Sequence, residues 1–279
     1  MRIGVVGGGV VGQATARSYI EHVDEVRVYD VLKERRTHGL FETLDCELIF
    51  LCLPTPQKKD SRECDVSAIE DFFCEAAGRK LNGLNWVLRS TVPIGTTRRL
   101  REQYDLPNIV HSPEFLTARV AVTDAQMPAR NIIGGFGDCG GLLHELYHRR
   151  FPGVPIHHMT SDESEAVKLF VNGFGATVIA YWNECRCLAE SRGLNWGRVM
   201  DGVLSDGRIP HSWSRVPGPD QKYGFGGACL PKDLASLTHL LGDEAAVTLA
   251  ALERNHRDRA RPPLNTEAVI REALARDMA

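Results

Sequence analysis

Short apolar runs alternate with amphipathic stretches through the first 160 residues. The runs are RIGVVG, EVRVYD, ELIFLCL, NWVLRS, NIVHS, RNIIGG and PIHHM. Each has the length of one strand and ends at polar or glycine-containing sequence. Helical periodicity fills several of the gaps. The pattern predicts a mostly parallel sheet with helices on both faces. From Asp162 the strand signal vanishes. DESEAVKLFVNGFGATVIAYWNECRCLAESRG predicts one long helix, capped by Ser161 or Asp162 and closed by Gly193. A loop-rich piece follows that helix, with DGRIPHSWSRVPGPDQKYGFGG carrying its prolines and glycines. Helices are then expected from Lys232 to Leu241 and from Glu244 to about Arg259. RPPLN breaks the pattern, and TEAVIREALARDM predicts a terminal amphipathic helix. The boundary between the two halves is expected near residue 160.

Composition narrows the class. At 279 residues the chain suits one large domain or two modest ones. With 43% hydrophobic and 25% charged residues it reads as a soluble globular protein. Net charge is -3 and the basic residues are dispersed, which speaks against the concentrated basic face of a nucleic-acid binder. MRIGVVGGG lacks the apolar core and cleavage site of a signal peptide. The apolar run from Leu169 to Trp182 contains Asn172 and two glycines and is too short to span a bilayer. The eight cysteines are irregularly spaced and read as reduced thiols of a cytoplasmic protein. Cys185 and Cys187 form C-x-C inside a helical pattern, a packing arrangement and a poor metal site.

The first run opens on chemistry. Gly7, Gly9 and Gly12 form G-x-G-x-x-G between a strand and a helix. The first glycine makes the tight turn, the second lets a pyrophosphate approach the backbone, and the third lets helix and strand pack closely. The amides of Val10 and Val11 begin the helix and face an anion with its positive dipole end. Asp30 ends the second run, placed to accept hydrogen bonds from a ribose diol and to repel a 2'-phosphate. That favours NAD over NADP, although Lys33, Arg35 and Arg36 follow closely. The fold class expected is therefore α/β. Residues 1–160 form an N-terminal Rossmann-like doubly wound parallel sheet that binds NAD, and 161–279 a mainly helical domain.

HELYH, from His144 to His148, matches the H-E-x-x-H of helical zinc proteases. It sits between two strand runs, where an ordinary crossover helix is expected. Leu143, Leu146, Tyr147 and Phe151 fall at core spacing and no third ligand is evident, so no metal is assigned.

Several further stretches occur in one order: LCLPTP (Leu51 to Pro56), STVPIGTT (Ser90 to Thr97), SPEFL (Ser112 to Leu116), EAVKLFVNGF (Glu165 to Phe174), GRI (Gly207 to Ile209) and GFGGACLPKD (Gly224 to Asp233). With the glycine fingerprint, they make the chain resemble the UDP-glucose/GDP-mannose dehydrogenases. These NAD-dependent enzymes oxidise the primary alcohol of a sugar nucleotide to a carboxylate. The resemblance implies Cys229 as nucleophile, the start of the following helix favouring its thiolate. A thiol adding to the intermediate aldehyde gives a thiohemiacetal, and its oxidation leaves a thioester for water to cleave. The resemblance also places Lys168 and Asn172, four apart on one helix face, at the reacting carbon, where they stabilise oxygen charge. Asp233 orders water and the lysine. Thr91 and Glu114 position or activate water. Thr55, Thr91 and Lys232 match cofactor contacts. Glu114, Phe115, Leu116, Arg208, Phe225, Gly226 and Gly227 match the substrate surround, and Trp213 stands near a family tyrosine. The family dimerises along the long helix, so a homodimer through the helix from Asp162 is expected.

Two departures stand out. Ala118 occupies the position of a second acid four residues after Glu114. Family members also continue into another α/β domain that grips the nucleotide, whereas about twenty residues remain here after Arg259. The tail reads as a tidy helix, so the chain is expected to be finished and to use a smaller substrate or a partner's surface. Arg254, Arg257, Arg259 and Arg261 stand either as replacement phosphate contacts or as a solvated basic helix end. Two other readings remain open. One is a cofactor-binding remnant with a structural or regulatory role. The other is a two-electron hydroxyacid-type dehydrogenase, which does not need GGACLPKD.

Overall fold

The computed structural model describes residues 1–76 and 81–262. One strand lies inside each apolar run: β1 (Arg2–Val6), β2 (Glu25–Tyr29), β3 (Leu48–Leu51), β4 (Trp86–Leu88), β5 (Ile109–His111), β6 (Asn131–Gly134) and β7 (Ile156–Met159). The helices are α1 (Val10–Tyr19), α2 (Leu40–Leu44), α3 (Ser67–Ala76), α4 (Thr96–Gln103), α5 (Ala121–Gln126), α6 (Asp138–Arg150), α7 (Ser161–Ser191), α8 (Trp196–Leu204), α9 (Leu230–Leu241) and α10 (Ala246–Arg259).

The strands form one sheet in the order β2-β1-β3-β4-β5-β6-β7. Alternate residues of each strand serve opposite faces. Leu48 and Phe50 join Ile3, Val5 and Val110 beneath Tyr19 of α1 and Leu143 and Tyr147 of α6. Ile49 and Leu51 join Trp86 and Leu88 against Phe73 of α3 and Leu100 of α4. Cover on both faces is why the strands read as continuous apolar runs and not as alternating ones. Each fully buried side chain of this size contributes ~1.5–3 kcal/mol.

The sheet is mostly parallel, as its pattern predicts, with one exception. β5 and β6 meet antiparallel at His111 and Gly134, while the other neighbours are parallel. The connection between them holds only a 3-10 turn and the short α5, which packs through Ala121 and Ala125 on Ala14 of α1. It returns at the end of β5 where it began and does not cross back over the sheet, so β6 runs the other way.

The chain divides into two compact units. The first is Met1–Pro56 with Cys64–Lys168, and the second is Gln57–Glu63 with Leu169 onward. The division falls within α7, after Lys168. In the second unit Ala176, Ala180, Phe225, Leu234 and Ala251 form one apolar cluster. Trp182, Met200, Val216 and Tyr223 form another. Met200 belongs to α8, which stands where a loop was expected. Its Gly197 and Gly202 dilute the helical signal, yet Trp196, Met200, Val203 and Leu204 all reach the second cluster. α7 ends at Ser191, and Gly193 follows with φ +65°, a conformation that suits glycine. The predicted terminal helix lies outside the described residues.

Candidate active site

The glycine turn has the shape that its spacing requires. Gly7 has φ +98°, and a Cβ there would meet the Cys52 carbonyl oxygen at 2.4 Å. A Cβ on Gly12 would lie 1.7 Å from the Gly7 carbonyl oxygen. Gly9 differs, because a Cβ there would meet nothing within 4 Å. The first and third glycines are thus required by the protein's own packing, and the second leaves a face open. Gly9 is also the N-cap of α1 and supplies no side-chain cap, so the Val10 and Val11 amides begin the helix uncapped. A cavity of about 550 Å³ lies against Gly8, Gly9, Val10, Gln13, Arg17 and Arg35. These features fit a dinucleotide pyrophosphate. Asp30 accepts hydrogen bonds from the Gly8 amide at 2.7 Å and the Leu32 amide at 2.8 Å. That fixes the carboxylate at the end of β2, beside the turn. Lys33 starts an exposed 3-10 turn.

Thr55 and Thr91 come together in the first unit. The Thr55 hydroxyl donates to the Thr91 carbonyl at 2.7 Å. The loop from Thr91 continues into α4 and is held at its far end by Glu165 of α7. Glu165 is fully buried and accepts from the Gly95 amide (2.6 Å), the Thr97 amide (2.7 Å) and the Thr97 hydroxyl (2.6 Å). Burial pushes its carboxyl up to about 7, against these three hydrogen bonds that favour the ionised form. Glu165 has no role in the sequence reading. Its one signal is an acid three residues before Lys168 on the same helix face.

Lys168 and Glu114 form a buried pair. The ammonium donates to Glu114 Oε1 at 3.0 Å and to the Glu114 carbonyl at 2.5 Å. Their side chains are only 4% and 8% exposed. Glu114 Oε2 accepts from the Leu116 amide at 2.5 Å, so both carboxylate oxygens are engaged. The Phe115 ring lies under Arg130 at 4.0 Å and near Lys168 at 5.3 Å. Upstream, His111 Nδ1 is 2.8 Å from the Ser164 hydroxyl, linking β5 to the first turn of α7. Burial pushes the His111 imidazole down to about 3.

Cys229, Asn172, Asp233 and Lys232 lie in the second unit. Cys229 is an exposed cysteine, in no disulfide, at the N-cap of α9, and its carbonyl accepts from the Asp233 amide at 2.9 Å. Asp233 is 1% exposed. One of its oxygens accepts from Lys232 Nζ at 2.5 Å and the other from Asn172 Nδ2 at 2.6 Å. A single buried carboxylate therefore orients two of the predicted residues, Lys232 and Asn172. Phe225 is buried, and its amide donates to Asn255 Oδ1 at 2.7 Å. Gly226 is covered by Arg259, whose guanidinium would lie 2.8 Å from a Cβ there.

Other predicted residues stand apart. Arg208 is 89% exposed and pairs with its neighbour Asp206. Trp213 packs edge-on to Phe174, and its ring fills the space beside Gly175. Arg254 pairs with Asp258, Arg259 with Asp220, and Arg261 with Glu190. These three are committed within the unit and do not form a solvated basic end. HELYH lies on α6, the crossover helix between β6 and β7. His144 Nδ1 is 2.8 Å from His158 Nε2. Among the described residues no group of three His, Cys, Asp or Glu is arranged to hold a metal.

The chain is similar to known proteins over most of its length. A model described as "UDP-glucose/GDP-mannose dehydrogenase family, NAD binding domain" matches residues 36–150, and one described as the "central domain" of that family matches residues 162–257. The chain is 30% identical over 219 residues to UDP-glucose 6-dehydrogenase of Campylobacter jejuni, covering 77% of this chain and 54% of that one. It is 31% identical over 212 residues to GDP-mannose 6-dehydrogenase of Pseudomonas aeruginosa, covering 70% and 47%. A solved UDP-glucose dehydrogenase from Pyrobaculum islandicum superposes with a TM-score of 0.76 at 27% identity, covering 92% of this chain and 68% of that one. The chain thus spans about half the length of these two curated relatives.

Proposed function

The chain belongs to the UDP-glucose/GDP-mannose dehydrogenase family, and from that premise we propose that it oxidises the primary alcohol of a sugar nucleotide, or of a smaller related substrate, to a carboxylate with NAD. Balanced, the reaction takes one alcohol, two NAD⁺ and one water to one carboxylate and two NADH, with release of three protons. When bound, NAD supplies the hydride acceptor for both oxidations.

In this reading Cys229 adds to the intermediate aldehyde. Its Sγ forms the C–S bond of a thiohemiacetal, and the second oxidation leaves a thioester that water hydrolyses, returning the thiol. The N-terminal end of α9 favours negative charge beside that sulfur. Asn172 and Lys168 stabilise charge on the substrate oxygen. Asp233 keeps Asn172 and Lys232 in their rotamers. Glu114 and Thr91 position water, with Thr55 steadying the Thr91 loop. The observation that carries the reading is the buried Asp233 carboxylate, one turn after Cys229 and bound to Asn172 and Lys232. A structural thiol at a helix start would not need that arrangement. The test is NADH counted per product over a panel of sugar nucleotides and simple alcohols, for wild type and Cys229→Ala.

The remnant reading has Ala118 in its favour, since the acid expected there is absent. Complete lack of turnover across that panel, with NAD still bound, would select it.

We also infer a homodimer through α7 and a cytoplasmic setting. Phe170, Phe174, Tyr181 and Leu188 are exposed, at 55%, 54%, 58% and 60%. At ~100° per residue their spacing keeps them within one narrow face of the helix. A second copy of this face would bury that stripe. None of the eight cysteines is in a disulfide, as suits a reducing compartment. No described helix is long and apolar enough to cross a membrane.

A further inference from the structure

The first unit holds a second cavity, of about 290 Å³, which shares no lining residue with the one at the glycine turn. Part of its lining is apolar, at Pro113, Phe115 and Phe151. The rest carries three nitrogen-rich side chains, Arg89, Arg130 and Asn131.

These side chains are under-used. Arg89 Nη1 donates to the Tyr147 hydroxyl at 3.0 Å and to the Ser112 carbonyl at 3.3 Å. Its Nε is buried with no partner among the described residues. Nη2 makes no hydrogen bond among the described residues, and among them no carboxylate hydrogen-bonds to this guanidinium, although the Glu114 charge favours it. Asn131 is 7% exposed, and its Nδ2 is buried without an acceptor among the described residues. Arg130 rests on the Phe115 ring, with no ion pair among the described residues. The two acids of the lining are already committed. Glu114 is bound to Lys168, and Asp124 accepts from the Thr117 amide at 2.7 Å.

We propose that this cavity binds a small organic monocarboxylate. The Nε–Nη2 edge of a guanidinium presents two parallel donors that match the two oxygens of a carboxylate. Asn131 Nδ2 supplies a third donor, and Arg130 adds positive charge. Buried donors normally have acceptors, and this ligand gives both orphaned nitrogens one. The volume lies just below the ~300–1,000 Å³ of drug-sized pockets, which restricts the ligand to a short chain. The apolar lining suits an alkyl body better than a fully hydrated phosphate. Glu114 borders the cavity, so occupancy acts directly on the Lys168–Glu114 pair. The cavity shares Glu114, Phe115 and Leu116 with the proposed substrate surround, and its occupancy is read by binding, without turnover.

The test is isothermal titration calorimetry of the full chain with propionate, lactate and pyruvate, and with phosphate and chloride as comparison anions. At least one carboxylate binds with one-to-one stoichiometry. Asn131→Leu, which removes the amide at similar volume, and Arg130→Ala each weaken it by about tenfold or more. Arg35→Ala, in the other cavity, leaves it unchanged. Arg89→Lys is a further variant, read only if it folds, because Arg89 also holds Tyr147. The proposal is overturned if no carboxylate binds more tightly than ~10 mM, if Asn131→Leu and Arg130→Ala bind as wild type does, or if phosphate and chloride bind equally well.

Discussion

Replacing Lys168 with methionine should destabilise the first unit far more than loss of a surface charge would. The ammonium and the Glu114 carboxylate lie 3.0 Å apart, with side chains 4% and 8% exposed. At an effective dielectric constant of ~20 the gross Coulomb attraction is ~5.5 kcal/mol. Desolvation of the two ions offsets much of this in the intact pair. Lys168→Met removes the attraction and leaves Glu114 buried with only the Leu116 amide. The expected cost is ~3–5 kcal/mol. Glu114→Gln should cost a comparable amount, because it leaves a buried ammonium with neutral acceptors and no counter-charge. In the double variant neither charge remains, so its cost should fall well below the sum, giving a coupling energy of at least ~2 kcal/mol. The assay is urea unfolding with native-state hydrogen exchange at the β4 and β5 amides, which reports the first unit separately. Single variants that cost less than ~1 kcal/mol, the range of exposed pairs, or a strictly additive double variant, would refute the buried-pair argument.

Other outcomes follow from the same geometry. Gly12→Ala should fail to fold stably, since its Cβ would lie 1.7 Å from the Gly7 carbonyl oxygen. Gly9→Ala should keep its melting temperature yet lose NADH affinity measured by fluorescence, because only a ligand would meet that Cβ. His111, pushed down to about 3 by burial, takes up its proton first in the unfolded chain. Its stabilisation is present above pH 6.5 and is lost as pH falls toward 3, at up to ~1.4 kcal/mol per pH unit. Glu165, pushed up to about 7, has the opposite sign, and its contribution grows as pH falls from 7 toward 4.5. His111→Gln should therefore leave a fold whose stability rises on mild acidification, as read by melting temperature between pH 7 and 5. Leu188→Glu combined with Tyr181→Glu should give a monomer by sedimentation velocity without unfolding the chain. A dimer in that variant would remove α7 as the interface.

The sheet was legible because strands covered on both faces must be apolar throughout, and ELIFLCL or RNIIGG has no amphipathic alternative of useful length. The direction of β6 was not. Nothing in the composition of the stretch from Phe115 to Arg130 says that α5 docks on α1 and does not cross the sheet. α8 was hidden by Gly197 and Gly202, although Trp196, Met200 and Val203 already stood at helical spacing. At the site, spacing alone placed Asp233 one turn after Cys229, and Lys168 and Asn172 one turn apart on α7. The pairing of Asp233 with Asn172 joins residues 61 positions apart, and that of Lys168 with Glu114 joins residues 54 apart. Local pattern carries no information about such contacts. Glu165 escaped for a similar reason, since its three donors come from a loop about 70 residues upstream.

The central claim is that Cys229 carries an alcohol to an acid through two oxidations. The most direct measurement is the number of NADH molecules formed per molecule of product with UDP-glucose, GDP-mannose and shorter alcohols. The account predicts two NADH per carboxylate in wild type and no carboxylate from Cys229→Ala, with NADH binding intact. One NADH per product, at the same rate in Cys229→Ala, would contradict it.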